Sequence, residues 1–361
     1  MGLFDIASKL ARPALFSFNP EKAHELSITA LKTGIVPGAN FSNDERLKVK
    51  LADLNFLNPV GLAAGYDKNA KVPDAILKLG FGFTEVGTIT PLGQLGNPKP
   101  RIFRLVDDEA IINRLGFNNK GHDAALIRLQ KRSQNNGIVG VNIGANKTSE
   151  DFVADYEKGI ETFFNVASYF TANISSPNTP GLRNLQAAEA LETLLDRIFE
   201  TVRTCEIKSK KSVPVFLKIA PDLKEHDMDD IAKVVKKSHL DALIISNTTL
   251  DRAGLKDQKQ AEESGGLSGK PLFEKSTKVL ANMRQRLGPD MPLIGVGGIS
   301  NAEDVISKME AGASLVQVYT GLIYGGPCLP TKIMEGLSKH LDQHNIKHIS
   351  DIVGTKTDDW L

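Results

Sequence analysis

The segment Asn173-Ile-Ser-Ser-Pro-Asn178 closes an apolar run with two amides, two hydroxyls and no charge. An amide offers donor and acceptor together, and a hydroxyl can do either. Similar endings recur along the chain. Ala64, Gly65 and Lys68 follow one apolar run; Thr88, Asn142, Lys218, Asn247 with Thr248, Gly297 with Gly298, and Tyr319 with Thr320 follow others, while Asn113 and Asn118 stand in a long intervening stretch. Several amides converging with two lysines describe a pocket for a planar, hydrogen-bond-rich, anionic ligand. Any single Asn or Ser here is more often a turn or cap former than a ligand contact. Lys218, inside Phe216-Leu-Lys-Ile-Ala220, has no such local explanation, because burying an ammonium is costly unless an anion meets it. Paired carboxylates are missing from these endings and no GxSxG elbow surrounds the serines, so neither glycosidase nor serine-hydrolase chemistry is indicated.

The elements that must position these residues follow from hydrophobic pattern. Eight short apolar, glycine-punctuated segments lie at 58–65, 83–89, 138–144, 169–175, 214–220, 242–248, 292–298 and 315–321, most followed by a helical pattern such as 151–167 or 301–313. That alternation predicts an α/β fold, a (β/α)8 TIM barrel whose strands and helices occupy about residues 46–345. The polar endings then gather at the C-terminal mouth, where active sites of this architecture are built. Two intervals after strands, 90–120 and 249–269, exceed ordinary loop length and are expected to form a lid and a pocket wall. Gly295, Gly297 and Gly298 lack the third glycine of a dinucleotide fingerprint, yet after a seventh barrel strand such glycines let backbone N–H groups approach a phosphate. A phosphate-bearing planar cofactor such as FMN fits this set, with Lys218 near the N1/O2 edge of the ring.

A net charge of +1 leaves no global field to recruit nucleic acid. Two cysteines far apart, and seven histidines without ligand spacing, suggest neither a disulfide framework nor a metal site. No stretch is apolar enough to span a bilayer. At the N-terminus, however, Leu3, Ile6, Ala7, Leu10 and Ala14 recur at helical spacing, and Ala23, Leu26, Ala30 and Leu31 form a second stripe behind an Asn19-Pro20 start signal. Residues 1–40 are read as a two-helix extension that packs on the body of the protein or lies in a membrane interface, and residues 41–361 as the barrel domain.

The segments "NPVGLAAGYDKNA", "INRLGFNN", "NISSPNTPGLRNLQ", "LKIAPDL", "SNTTLDR", "GVGGI" and "GASLVQVYTG" occur in an order that resembles the class 2, membrane-associated, quinone-linked dihydroorotate dehydrogenases from about residue 18 to 345. The resemblance implies oxidation of dihydroorotate to orotate in pyrimidine biosynthesis, with FMN as hydride acceptor and a membrane quinone as final acceptor. It assigns Ser176 as the base at C5 of the substrate. Lys68 is implied to pair with the substrate carboxylate, and Asn113, Asn173, Asn178, Asn247 and Thr248 to hold the pyrimidine ring, with Arg114, Leu115, Gly116 and Phe117 beside it. The backbone of Ala64, Gly65, Tyr66, Asp67 and Lys68, with Thr88, Asn142, Asn173, Lys218, Ser246 or its neighbour Thr248, Gly269, Gly298, Tyr319 and Thr320, is implied to surround FMN. His24 and Arg104 resemble quinone-tunnel positions. Class 1 relatives carry Cys where Ser176 stands, so the serine and the N-terminal extension both favour class 2. Ser246 stands where many relatives have Thr, and Tyr66 where Leu or Phe is usual.

A serine base has a free pKa far above neutrality, so a relay through water, Thr179 or Thr248 is expected. The resemblance further implies a monomeric peripheral membrane protein on the cytoplasmic side of a bacterial inner membrane. Two other classes are separable by observation. A flavin-free barrel lyase using Lys218 as a Schiff base would be colourless, and a non-catalytic membrane-surface module would not need the polar mouth.

Overall fold

The computed structural model describes residues 12–13, 15–34, 36, 38, 44–132 and 137–361. Eight parallel strands close into a barrel: β1 (Val60–Leu62), β2 (Phe83–Ile89), β3 (Ile138–Ile143), β4 (Tyr169–Asn173), β5 (Val215–Ile219), β6 (Ala242–Ile245), β7 (Leu293–Val296) and β8 (Leu315–Val318). Each pairs with its sequence neighbours, and β8 returns to β1. The strands are buried along their whole length save for the half-buried Ile138 that opens β3, as expected where helices cover the outside and side chains fill the inside.

Interior packing explains two strand glycines. A Cβ on Gly61 would lie 2.4 Å from the Phe83 ring, and one on Gly140 would lie 2.1 Å from the Tyr169 ring. The absent side chains admit Phe83, Tyr169 and Phe216, the last two stacked at 4.4 Å. Before β1, a hairpin of Val49–Leu51 and Leu54–Phe56 turns through Ala52 and Asp53 at positive φ and sets Phe56 edge-on to Phe83 at 5.0 Å. It thereby closes the N-terminal end of the barrel.

The two long intervals are not simple loops. Ile102–Leu105 and Ala110–Asn113 from the first, and Gly266–Gly269 from the second, pair as one antiparallel sheet across the mouth. Phe103, Leu105, Ala110, Ile112, Leu255 and Leu267 give it a small core of its own. The short apolar runs "IFRL" and "AIIN" could have signalled strands; the pairing of "AIIN" with residues more than 150 positions away could not.

The helix Pro20–Thr33 begins with the Asn19 side chain accepting from Glu21 N and ends at Gly34 in the left-handed region. Arg101, in the mouth sheet's approach, clamps it by donating to both Glu21 carboxylate oxygens, at 3.2 and 2.6 Å. Ala23, Ile28 and Leu31 are buried, whereas Leu26 and Ala30 face a cavity between the helix and the mouth sheet. The stripe from Leu3 to Leu10 and Ala14 lies outside the described residues. No described helix is long and apolar enough to cross a membrane. Beyond residue 345 the chain adds two short turns, with Trp360 edge-on to Phe273 at 6.0 Å.

Candidate active site

Asn142, Asn173 and Lys218 sit inside strands β3, β4 and β5, with Asn173 opposite Lys218 in the ladder. Ser176, Asn178, Asn247 and Thr248 lie just past strand ends, released from the sheet. One buried acid organises the amides. Glu85, in the middle of β2, is 1% exposed and accepts from Asn142 Nδ2 (2.7 Å), Thr171 Oγ1 (2.9 Å), Gln317 Nε2 (2.9 Å) and Tyr169 OH (3.2 Å). A carboxylate only accepts, so Asn142 must present its NH2 to Glu85 and its Oδ1 to the mouth. That oxygen accepts from Thr88 Oγ1 (2.6 Å) and Asn173 Nδ2 (3.2 Å). Asn173 Oδ1 in turn accepts from Ser175 Oγ (2.7 Å), whose oxygen accepts from Asn247 Nδ2 (2.8 Å). Donor and acceptor directions at three amides therefore descend from one charge in the barrel core. The sequence reading missed Glu85, although an acid inside "FTEVGTI" has the same unexplained burial as Lys218.

Ser176 is buried, and among the described residues its Oγ accepts one hydrogen bond, from Asn178 N at 3.2 Å. That N–H would stabilise negative charge growing on the oxygen. Neither Thr179 nor Thr248 hydroxyl bonds to Ser176 Oγ among the described residues. Asn178 Nδ2 donates to Asn113 O at 3.2 Å, tying the serine segment to the mouth sheet. A second unforeseen element holds that segment. Arg183 donates to Ser175 O (3.0 Å), Thr248 O (3.0 Å) and Asp222 (3.1 Å), and Asp222 also binds the Thr249 hydroxyl and Lys275.

Lys68 Nζ donates to Gly65 O at 2.6 Å and faces a polar cavity shared with Asn69, Leu115 and Asn118. Burial, with Arg101 adding to it against Glu21, lowers its pKa to about 8. Asn118 Oδ1 has no partner among the described residues. Gly116 and Phe117 hold positive φ in the turn beside them. Three residues of these segments have side chains engaged in the frame. Arg114 binds Glu263 and Pro100 O and lies over Phe103. Asp67 accepts from the Lys71 and Val72 N–H groups, closing its own turn. Tyr66 points away from the mouth, its hydroxyl donating to Ser27 Oγ at 2.9 Å.

A cleft runs over β5 to β8. One part is lined by Ala64, Lys218, Ser246, Gln317 and Tyr319, the other by Lys270, Ser300 and Gly325, and Gly269, Gly298 and Gly321 belong to both. Lys218 is 5% exposed, and burial lowers its pKa against the opposing charge of Glu85. No acceptor lies within hydrogen-bond distance of its Nζ among the described residues, so a donor stands ready for a ligand. At the other end Gly298 has φ of +80° and a Cβ there would meet Phe273 Cβ at 2.4 Å. The cleft thus suits an elongated planar ligand with polar atoms at Lys218 and a phosphate at the glycines.

The cavity under the helix Pro20–Thr33, about 270 Å³, is mostly apolar and shares Ser268, Tyr319 and Thr320 with this cleft. It opens toward Leu15 and Phe16. Arg104 guards that end, donating to Phe16 O and Phe18 O with its guanidinium 4.8 Å from the Phe16 ring centroid. His24 lies edge-on to Tyr66 at 5.1 Å. Burial and the Lys68 charge lower its pKa to about 3, so it is a neutral imidazole near pH 7.

A family model described as dihydroorotate dehydrogenase matches residues 46–341. The chain is 60% identical to a dihydroorotate dehydrogenase (quinone) of Rhizobium rhizogenes, over 97% of each chain. It is 59% identical to one of Brucella ovis, over 99% of this chain and 98% of that one. Among solved structures, DHODH from Eimeria tenella in complex with ferulenol superposes with a TM-score of 0.91 at 39% identity, covering 96% of this chain and 98% of that one. Barrel, mouth and helical extension are all within these matches, and the chain belongs to the dihydroorotate dehydrogenase family.

Proposed function

We propose that the chain oxidises dihydroorotate to orotate in pyrimidine biosynthesis, using bound FMN and passing the electrons to a membrane quinone. The observation that carries this reading is the meeting of three environments at Tyr319 and Thr320: the amide-lined mouth, the glycine-ended cleft and the apolar cavity under the N-terminal helix. FMN, when bound in the cleft, supplies the hydride acceptor for C6 and the conduit to quinone. Lys218 stabilises negative charge at the pyrimidine edge of the ring. Asn113, Asn173, Asn178 and Asn247 orient the substrate, and Lys68 holds its carboxylate. Ser176 Oγ takes the C5 proton while the Asn178 N–H supports the oxygen, and a water carries the proton onward. Thr179 and Thr248 have no direct bond to the serine in support of a relay role.

Residues 1–40 are assigned to quinone entry at a membrane surface, with Leu15 and Phe18 exposed beside the cavity opening. The protein would act as a monomer bound peripherally on the cytoplasmic side of a bacterial inner membrane. Anaerobic addition of dihydroorotate should bleach the flavin band of the purified protein, and a soluble quinone should restore it. A yellow protein that does not bleach would remove the substrate assignment; a colourless one unchanged by FMN would remove the cofactor. Arg104→Ala is expected to raise the quinone KM about tenfold and leave the dihydroorotate KM within twofold, because Arg104 holds the backbone at the cavity opening and touches nothing in the mouth. The reverse split in steady-state kinetics would place Arg104 elsewhere.

A further inference from the structure

Lys308, in the helix Ala302–Glu310, is wholly buried beneath the loop that carries Gly297 and Gly298. Its Nζ donates to Ser276 Oγ at 2.6 Å, lies 3.5 Å from Phe273 O and sits 5.0 Å from the Phe273 ring centroid. Among the described residues no carboxylate lies within ion-pair distance of it. Asp304, one turn earlier, is engaged by Ser300 N and Oγ at 2.7 and 2.8 Å. Burial holds the Lys308 pKa well below the ordinary lysine value against the Asp304 charge, and nothing in the helix or its packing requires an amino group there.

The hydrogen-bond directions indicate what the amino group serves. Lys308 Nζ donates to the Ser276 oxygen, so the one hydroxyl hydrogen turns toward the carbonyls on its other side, Leu272 O (2.8 Å), Phe273 O (3.1 Å) and Gly297 O (3.2 Å), which share it. The Gly297–Gly298 peptide is not among the cis bonds, so it is planar and trans. With its carbonyl turned toward Ser276, the Gly298 N–H points to the opposite side, where the cleft lies. The fit is tight: a Cβ on Gly297 would come within 2.7 Å of Ser276 Oγ.

We propose that Lys308, acting through Ser276, is a positioning residue for the cofactor phosphate. It holds the Gly297–Gly298 peptide with its N–H aimed into the cleft. This rests on the reading of the cleft as an FMN site. Its prediction is selective for the phosphate, because the ring is held at the far end by Lys218.

The test uses full-length Lys308→Met and Ser276→Ala proteins. Flavin release on dilution of each holoprotein is followed by fluorescence, and the stripped proteins are titrated with FMN and with riboflavin, which lacks the phosphate. Both variants are expected to bind FMN about tenfold more weakly and riboflavin within twofold of the parent. Equal weakening for both flavins would mean general damage to the cleft and would overturn the proposal, as would unchanged FMN affinity. If Lys308→Met does not fold, Ser276→Ala alone carries the test. A parent protein that binds neither flavin would refute the cofactor reading itself, an outcome distinct from failure of the Lys308 assignment.

Discussion

Replacing Ser176 by Ala is expected to lower the rate of flavin reduction by dihydroorotate by about three orders of magnitude while leaving the protein yellow. Of the two serines after β4, Ser176 is the one whose hydroxyl, among the described residues, is not bonded to an amide side chain. Ser175, its neighbour, is committed at both ends, donating to Asn173 Oδ1 and accepting from Asn247 Nδ2. Ser176 Oγ has only the Asn178 N–H at 3.2 Å, so its hydrogen and a lone pair remain available to substrate and water. Truncation to Ala removes no partner from the amide network that leads back to Glu85, and orotate affinity should change less than threefold. Anaerobic stopped-flow reduction checks the rate, and the spectral shift on adding orotate checks the site. Near-normal reduction in the variant would take Ser176 out of the mechanism.

The second large effect is a pH dependence set by Lys68. Burial depresses its ammonium to a pKa of about 8, further lowered by Arg101 and opposed by Glu21 and Asp67. The substrate carboxylate is ionised throughout the neutral and alkaline range, so its binding needs the charged lysine. In the free enzyme that charge is present below pH 8 and is lost as pH rises through it. With quinone saturating, kcat/KM for dihydroorotate should be level toward neutrality and fall about tenfold per pH unit above about 8. Once the carboxylate is bound it favours the ammonium, so kcat should hold to higher pH than kcat/KM. Lys68→Met should raise the dihydroorotate KM about a hundredfold and flatten that alkaline limb. A limb that persists in the variant would assign the titration to another group.

Much of the architecture was legible because β-branched, glycine-punctuated runs alternating with amphipathic helices have few compact solutions. The polar endings were legible for a related reason. Asn173, Ser176 and Asn247 each admit a turn or cap reading, but they recur after successive apolar runs, and Lys218 has no such local explanation. Arg114 and Asp67 show the limit of this reasoning. Both lie inside recognisable segments, yet their side chains hold Glu263 and a local turn. Motif membership reports that a segment is near the ligand, whereas the direction of a side chain depends on the partners that the fold supplies.

By itself, then, the sequence determined the eight-stranded barrel, the end of it at which polar groups gather and the kinds of groups found there, because periodicity and burial preferences act over a few residues. Only the tertiary structure decided how those groups are oriented. The amide directions come from Glu85 on β2 acting through Asn142 on β3 to Asn173 and Asn247. The serine segment is held by Arg183 and Asp222 from separate strand ends, and the mouth sheet joins residues near 110 to residues near 267. These are contacts between positions far apart in the chain, made where an acceptor-only carboxylate or a donor-only cation meets a buried partner. Their physical content lies in which group faces which, and closure of the barrel sets that.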